Sequence, residues 1–297
     1  MYTIYEGRAK LELVLDAQAT LGEGPCWDEA LNGLWWVDIP EKKLHFFDPG
    51  TRLNRTIQLG QQIGTVAPRS PESVIVALQD GIYELDLRTC RLQRRAKLEE
   101  RADNRFNDGK CDPAGRLWAG TLNMGGEKGT GALYRLNADG SLEAVKTGVS
   151  VSNGLGWSPD HRSMYWIDSP TKEVTEFEYN PVSGSIDRPR TVVRFREGQG
   201  IPDGMTTDEE GMLWIAHWDG GQVSRWNPRT GEMLQSISVP APRVTSCAFG
   251  GPDGRELYVT TARIRLDERT LRQYPLSGGL FRIRTQVKGM RTYAFKG

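Results

Sequence analysis

Four polar residues of this 297-residue chain recur at one phase of a long repeat: Glu23, Asn107, Asn153 and Asp203. They emerge from aligning Glu23-Gly24, Ile63-Gly64, Asn153-Gly154 and Asp203-Gly204, with Asn107-Asp108 and Ser246-Cys247 in the same phase. The ring Glu23, Ile63, Asn107, Asn153, Asp203, Ser246 has successive spacings of about 40–50 residues. Taken singly, Asn-Gly and Asp-Gly mark turns in most proteins, and Pro25 and Pro202 suit turns too. A shared phase changes the reading. Two carboxylates and two amides brought to one place make an oxygen-rich cluster of net charge about minus two, which suits a hard divalent cation. Without a cation the like charges would repel, and one carboxyl would stay protonated.

The elements that must position these residues follow from the repeat itself. Turn residues precede an apolar run six times, at 34–39, 74–77, 116–121, 164–168, 213–216 and 257–260. Each run is followed by a segment of strand alternation, such as Lys43-Leu44-His45-Phe46-Phe47 or Gln222-Val223-Ser224-Arg225-Trp226. A fourth polar segment usually comes next, and no stretch keeps a helical period. Four short strands per repeat of roughly 40–50 residues select an all-β, six-bladed β-propeller with four antiparallel strands per blade. Six copies fill residues 1–297, read as a single domain. The last copy lacks an outer strand, which residues 11–15 are expected to supply, closing the ring. The first segment of each repeat is then the innermost strand, and the six polar-phase residues ring one mouth of the channel.

Composition narrows the function. Hydrophobic residues are 38% and charged residues 26%, enough for a packed core. Lys plus Arg equals Asp plus Glu at 38 each, a balance that argues against nucleic acid or anionic membranes as partners. No run approaches the roughly 20 apolar residues of a membrane span. Residues 1–10 show no secretion signal, so a cytoplasmic location is expected, as a monomer or weak homo-oligomer. Cys26, Cys90, Cys111 and Cys247 are scattered and are expected to be reduced, mostly buried thiols. His45, His161 and His217 fall in different repeats, which disfavours a three-histidine zinc site, although His217 could approach the channel. Nucleophile-elbow, Walker and dinucleotide motifs are missing.

Several motifs together resemble the regucalcin/gluconolactonase family of six-bladed propellers. They are Leu21-Gly22-Glu23-Gly24-Pro25, Asn104-Arg105-Phe106-Asn107-Asp108-Gly109-Lys110, Ser152-Asn153-Gly154-Leu155 and Ile201-Pro202-Asp203-Gly204-Met205. The resemblance implies that Glu23, Asn153 and Asp203 ligate one divalent metal, with Asp203 doubling as general base. It implies that Arg105 and Asn107 hold the hydroxyls and carbonyl side of a sugar lactone, which is hydrolysed to the aldonic acid. The chain departs from the family where an acidic residue is often found, in the loop Leu122-Asn123-Met124-Gly125-Gly126; Asn123 is the candidate replacement, and Glu127 is out of register. Oxygen ligands leave the metal open among Ca²⁺, Mn²⁺, Mg²⁺, Zn²⁺ and Fe²⁺. Two other readings stay open: an arylesterase-like propeller hydrolase and a non-catalytic metal-binding propeller.

Overall fold

Burial falls from the inside of each repeat to the outside. Second strands such as Gly33–Asp38 and Ser73–Leu78 are buried along their whole length. Fourth strands such as Leu53–Gln58 and Leu92–Lys97 are mostly exposed. A strand covered on both faces by neighbouring sheets must be apolar throughout, which explains the unbroken runs Leu34-Trp35-Trp36-Val37 and Val74-Ile75-Val76-Ala77. In the computed structural model, which describes residues 3–6, 9–98 and 101–297, these strands form six antiparallel sheets. Met1, Tyr2, Gly7 and Arg8 of the charged opening segment lie outside the described residues.

The six inner strands are Gly22–Asp28, Ile63–Ser70, Asn104–Cys111, Ser152–Trp157, Ile201–Thr207 and Val244–Gly250. Each touches the next, and the sixth touches the first, so the sheets are the blades of a six-bladed β-propeller. Ring closure is as expected. The strand Ala9–Leu15 pairs with Leu280–Arg284, setting Leu11 opposite Ile283 and Leu13 opposite Phe281. Thr3–Glu6 adds a fifth strand to that blade, beyond the four expected. A short helix, Glu268–Gln273, is capped by Asp267 and buries no residue, so it left no apolar period to read.

Blades are packed by large side chains between neighbouring sheets; Trp214, Phe249, Leu257 and Phe281 share one such cluster. Three acids at the far ends of inner strands lock the turn to the second strand. Asp28, Asp112 and Asp208 accept the indole N–H of Trp35, Trp118 and Trp214 at 3.0 Å. The tail then crosses that far face: Met290 N–H donates to Thr207 O, Phe295 N–H to Pro68 O and Lys296 N–H to Gly115 O. Among the cysteines, Cys111 and Cys247 are buried and unpaired as expected, but Cys90 is exposed in a turn with φ 56°. No helix of the described residues is long and apolar enough to cross a membrane.

Candidate active site at the channel mouth

Every inner strand slips register at the phase read from the sequence, and Ile63–Ser70 slips a second time between Pro68 and Ser70. The shared slip lies between Glu23 and Cys26, Ile63 and Thr65, Phe106 and Gly109, Ser152 and Leu155, Pro202 and Met205, and Val244 and Ser246. The X-Gly dipeptides are therefore β-bulges inside strands, not turns. A bulge frees residues from the ladder and re-aims their side chains. Glycine is required because the inner strands crowd together there. A Cβ on Gly154 would collide with Met205 and the Asp203 carbonyl, and one on Gly204 with Ser246.

Glu23, Arg105, Asn107, Asn153 and Asp203 are all buried at these bulges, and so is Asp108, which sequence reasoning passed over. Each of the three carboxylates accepts a hydrogen bond from the N–H of the glycine that follows it: Gly24 (2.7 Å), Gly109 (2.7 Å) and Gly204. Among the described residues no side-chain donor reaches them. Burial raises the Glu23 carboxyl above its ordinary range, and the charge of Asp108 raises it further. Burial likewise raises Asp203 well above its usual value, reinforced by Glu23 and then Asp108. Asp108 is also raised by burial, against the pull of Lys110. Arg105 moves the other way: burial lowers its guanidinium to about 10, opposed by the charge of Glu23.

The amides are held differently. Arg105 Nη1 donates to Asn107 Oδ1 (2.9 Å) and to Phe106 O (2.8 Å). Asn107 Nδ2 donates to Ser152 O (2.9 Å) and Asn153 Oδ1 (3.0 Å). Arg105 Nε and Nη2 have no partner among the described residues, so the guanidinium keeps donors for a ligand. Asn107 has only an oxygen lone pair to offer.

Asn123 is buried and committed to protein partners: Oδ1 accepts from Gly125 N–H (2.9 Å) in its own loop and Nδ2 donates to Asn104 Oδ1 (3.0 Å) on the inner strand. Glu127 is turned outward in an ion pair with Arg101 at 2.8 Å. His217 sits beside the site, opposite Pro202 in the ladder, but both ring nitrogens are occupied by Gln199 O and Ser224 Oγ. At the remaining two ring positions, Ile63 joins an apolar cluster and Ser246 packs against Gly204.

The donor set fits a hard cation. Two buried carboxylates that the charge of Arg105 offsets only in part, and an amide oxygen, Asn153 Oδ1, all belong to the oxygen chemistry such an ion takes. Among the described residues no three His, Cys, Asp or Glu side chains form a metal cluster.

Residues 21–263 match the family described as SMP-30/Gluconolactonase/LRE-like region. The chain belongs to that family. It is 44% identical over 286 residues to a Bacillus subtilis protein named "Putative sugar lactone lactonase YvrE", covering 96% of this chain and 98% of that one. It is 38% identical to human regucalcin over 97% of this chain and 99% of the relative. Among solved structures, a calcium-binding protein, regucalcin, from Agrobacterium tumefaciens superposes with a TM-score of 0.92 at 29% identity, covering 95% and 96% of the two chains.

Proposed function

We propose that this protein hydrolyses a sugar lactone to its aldonic acid, using one divalent cation held by Glu23, Asn153 and Asp203. The observation that carries the reading is the pair of buried carboxylates, both raised by burial and by repulsion from neighbouring acids, beside an amide oxygen at one phase of the ring. Family membership and the name of the B. subtilis relative support a lactone as substrate.

Hydrolysis breaks the ring C–O bond of a cyclic ester and adds water across it, leaving a carboxylate and a hydroxyl. A cation at this site would supply Lewis-acid polarisation of the carbonyl and acidify water. Asp203 accepts the proton of the attacking water on a carboxylate oxygen. Arg105 binds substrate oxygens through Nε and Nη2, with the reacting carbon held toward Asp203, and Asn107 fixes the guanidinium from behind. Burial of the whole group keeps bulk water from competing for these donors.

The test is a panel of aldonolactones and aryl esters assayed with chelated protein and with Ca²⁺, Mn²⁺, Mg²⁺, Zn²⁺ or Fe²⁺ restored. Lactone turnover should appear only with a cation and exceed aryl-ester turnover. A protein that binds the cation yet hydrolyses no lactone above the spontaneous rate would be a binding propeller instead.

A further inference from the structure

Ser169 lies one residue past the strand Ser163–Asp168 and starts a short 3₁₀ turn with Pro170. Buried at the mouth, its hydroxyl bridges two blades. Ser169 Oγ donates to Pro202 O at 2.7 Å and accepts from Asn153 Nδ2 at 2.8 Å. Pro202 is the residue before Asp203, and its carbonyl stands at the bulge where the ladder is interrupted.

A directed chain therefore runs Arg105 to Asn107 to Asn153 to Ser169 to Pro202. Its sense is fixed by chemistry at both ends. A guanidinium only donates, so Asn107 must turn its oxygen to Arg105 and its NH₂ toward Asn153. A peptide carbonyl only accepts, so the single Ser169 proton goes to Pro202 O, and the hydroxyl oxygen must receive the Asn153 NH₂. The two constraints, starting from blades three and five, give Asn153 the same orientation, with Oδ1 on the side of Asn107 and Nδ2 on the side of Ser169.

We propose that Ser169 is a positioning residue for the cation: it locks the Asn153 amide so that Oδ1 is the atom presented as ligand, and ties that amide to the peptide that delivers Asp203. This rests on the reading of Asn153 as a metal ligand given above. Partners of metal ligands are worth about 10–100-fold in affinity when removed. Without the Ser169 hydroxyl the amide loses one of the two partners that fix its sense, leaving Asn107 alone to hold it, and Pro202 O loses its donor.

The experiment is calorimetric titration of chelated protein with Mn²⁺ and with Ca²⁺, for wild type, Ser169→Ala, Ser169→Thr, Asn153→Ala and the double variant Ser169→Ala/Asn153→Ala. Circular dichroism and melting of the chelated proteins accompany each titration. Ser169→Ala should weaken binding by about 10-fold or more while staying folded, and Ser169→Thr, which keeps the hydroxyl, should recover most of it. In the Asn153→Ala background the same change should cost less than about 2-fold, because the amide it orients is gone. Wild-type affinity in Ser169→Ala beside weakened Asn153→Ala overturns the positioning role and leaves the metal reading standing. Equal losses in both backgrounds also overturn it, since Ser169 would then act on the strand and not through Asn153. Wild-type affinity in both alanine variants removes the metal reading and the proposal together.

Discussion

Two sets of buried acids sit on the same three inner strands, and they are treated in opposite ways. At the mouth, Glu23, Asp108 and Asp203 each receive one backbone N–H and, among the described residues, no side-chain donor. Four or five residues further along, Asp28, Asp112 and Asp208 are surrounded by donors. Asp112 accepts from Ala114 N–H, Arg116 N–H, Arg116 Nε, Trp118 Nε1 and Tyr179 OH. Asp208 accepts from two backbone N–H groups, Trp214 Nε1 and Arg225 Nε. Burial is nearly equal in the two sets, 5–6% exposed at the mouth against 0–2% at the far end. What separates the two sets is satisfaction, not depth. A buried carboxylate with its lone pairs filled holds the fold, whereas one left uncompensated is a place for a cation or a proton.

The largest effect that would break this comparison is catalytic. Asp203→Asn keeps size and removes both charge and basicity. It should lower kcat by about 10²–10⁴-fold at saturating cation, after spontaneous lactone hydrolysis is subtracted. The metal-free variant should melt no lower than wild type, because one of three repelling acids is gone. Near-normal turnover at saturating cation would move the base elsewhere.

The far-end set should fail in the opposite sense. Asp112→Ala leaves the buried Arg116 guanidinium without its carboxylate, Arg116 Nε having stood 2.7 Å from Asp112. The expected cost is about 3–5 kcal/mol of stability by urea unfolding, with kcat unchanged below the melting temperature. A stable Asp112→Ala with impaired turnover would erase the distinction between the two ends.

Satisfied buried groups should also report through pH. Burial lowers His217 and His45 to about 4, against 6.5 when exposed. Both are neutral in the fold and gain protons on unfolding below pH 6.5. Their contribution is therefore complete above pH 6.5 and lost as pH falls from 6.5 toward 4, at ~3 kcal/mol per histidine. Urea midpoints across that window, compared with His217→Gln, measure the share of His217. A flat profile would mean the ring is protonated or solvated in the native state. The smallest change is expected at the rim, where Glu127→Gln removes an exposed ion pair with Arg101 and should alter stability by less than about 1 kcal/mol and kcat not at all.

The fold was legible because each blade repeats its turn, its buried second strand and its bulge. The X-Gly phase was readable for a physical reason: inner strands crowd at the channel, and positions such as Gly154 and Gly204 admit no side chain. The same signal hid Asp108, because Asn-Asp-Gly reads locally as a turn and only the two-residue bulge shows that both Asn107 and Asp108 leave the ladder. Ser169 left no trace in the phase, since it stands past the second strand and meets Asn153 and Pro202 only in three dimensions. Asn123 was picked for its place in the loop after the second strand, but its bonds go to Gly125 in that loop and to Asn104 at the start of the inner strand. The Asp–Trp locks, with separations of six or seven residues in three blades, were present in the sequence as a further repeat and went unread.

The most direct test of the central claim is a calorimetric titration of chelated wild-type, Glu23→Gln and Asp28→Asn proteins with a divalent cation. Glu23→Gln keeps the size of the side chain and removes one of the mouth carboxylates that has no side-chain donor among the described residues, while Asp28→Asn alters a satisfied acid on the same strand. The account predicts one cation per chain for wild type, affinity at least about 10-fold weaker in Glu23→Gln, and wild-type affinity in folded Asp28→Asn. Wild-type affinity in Glu23→Gln, or equal losses in both variants, would contradict it.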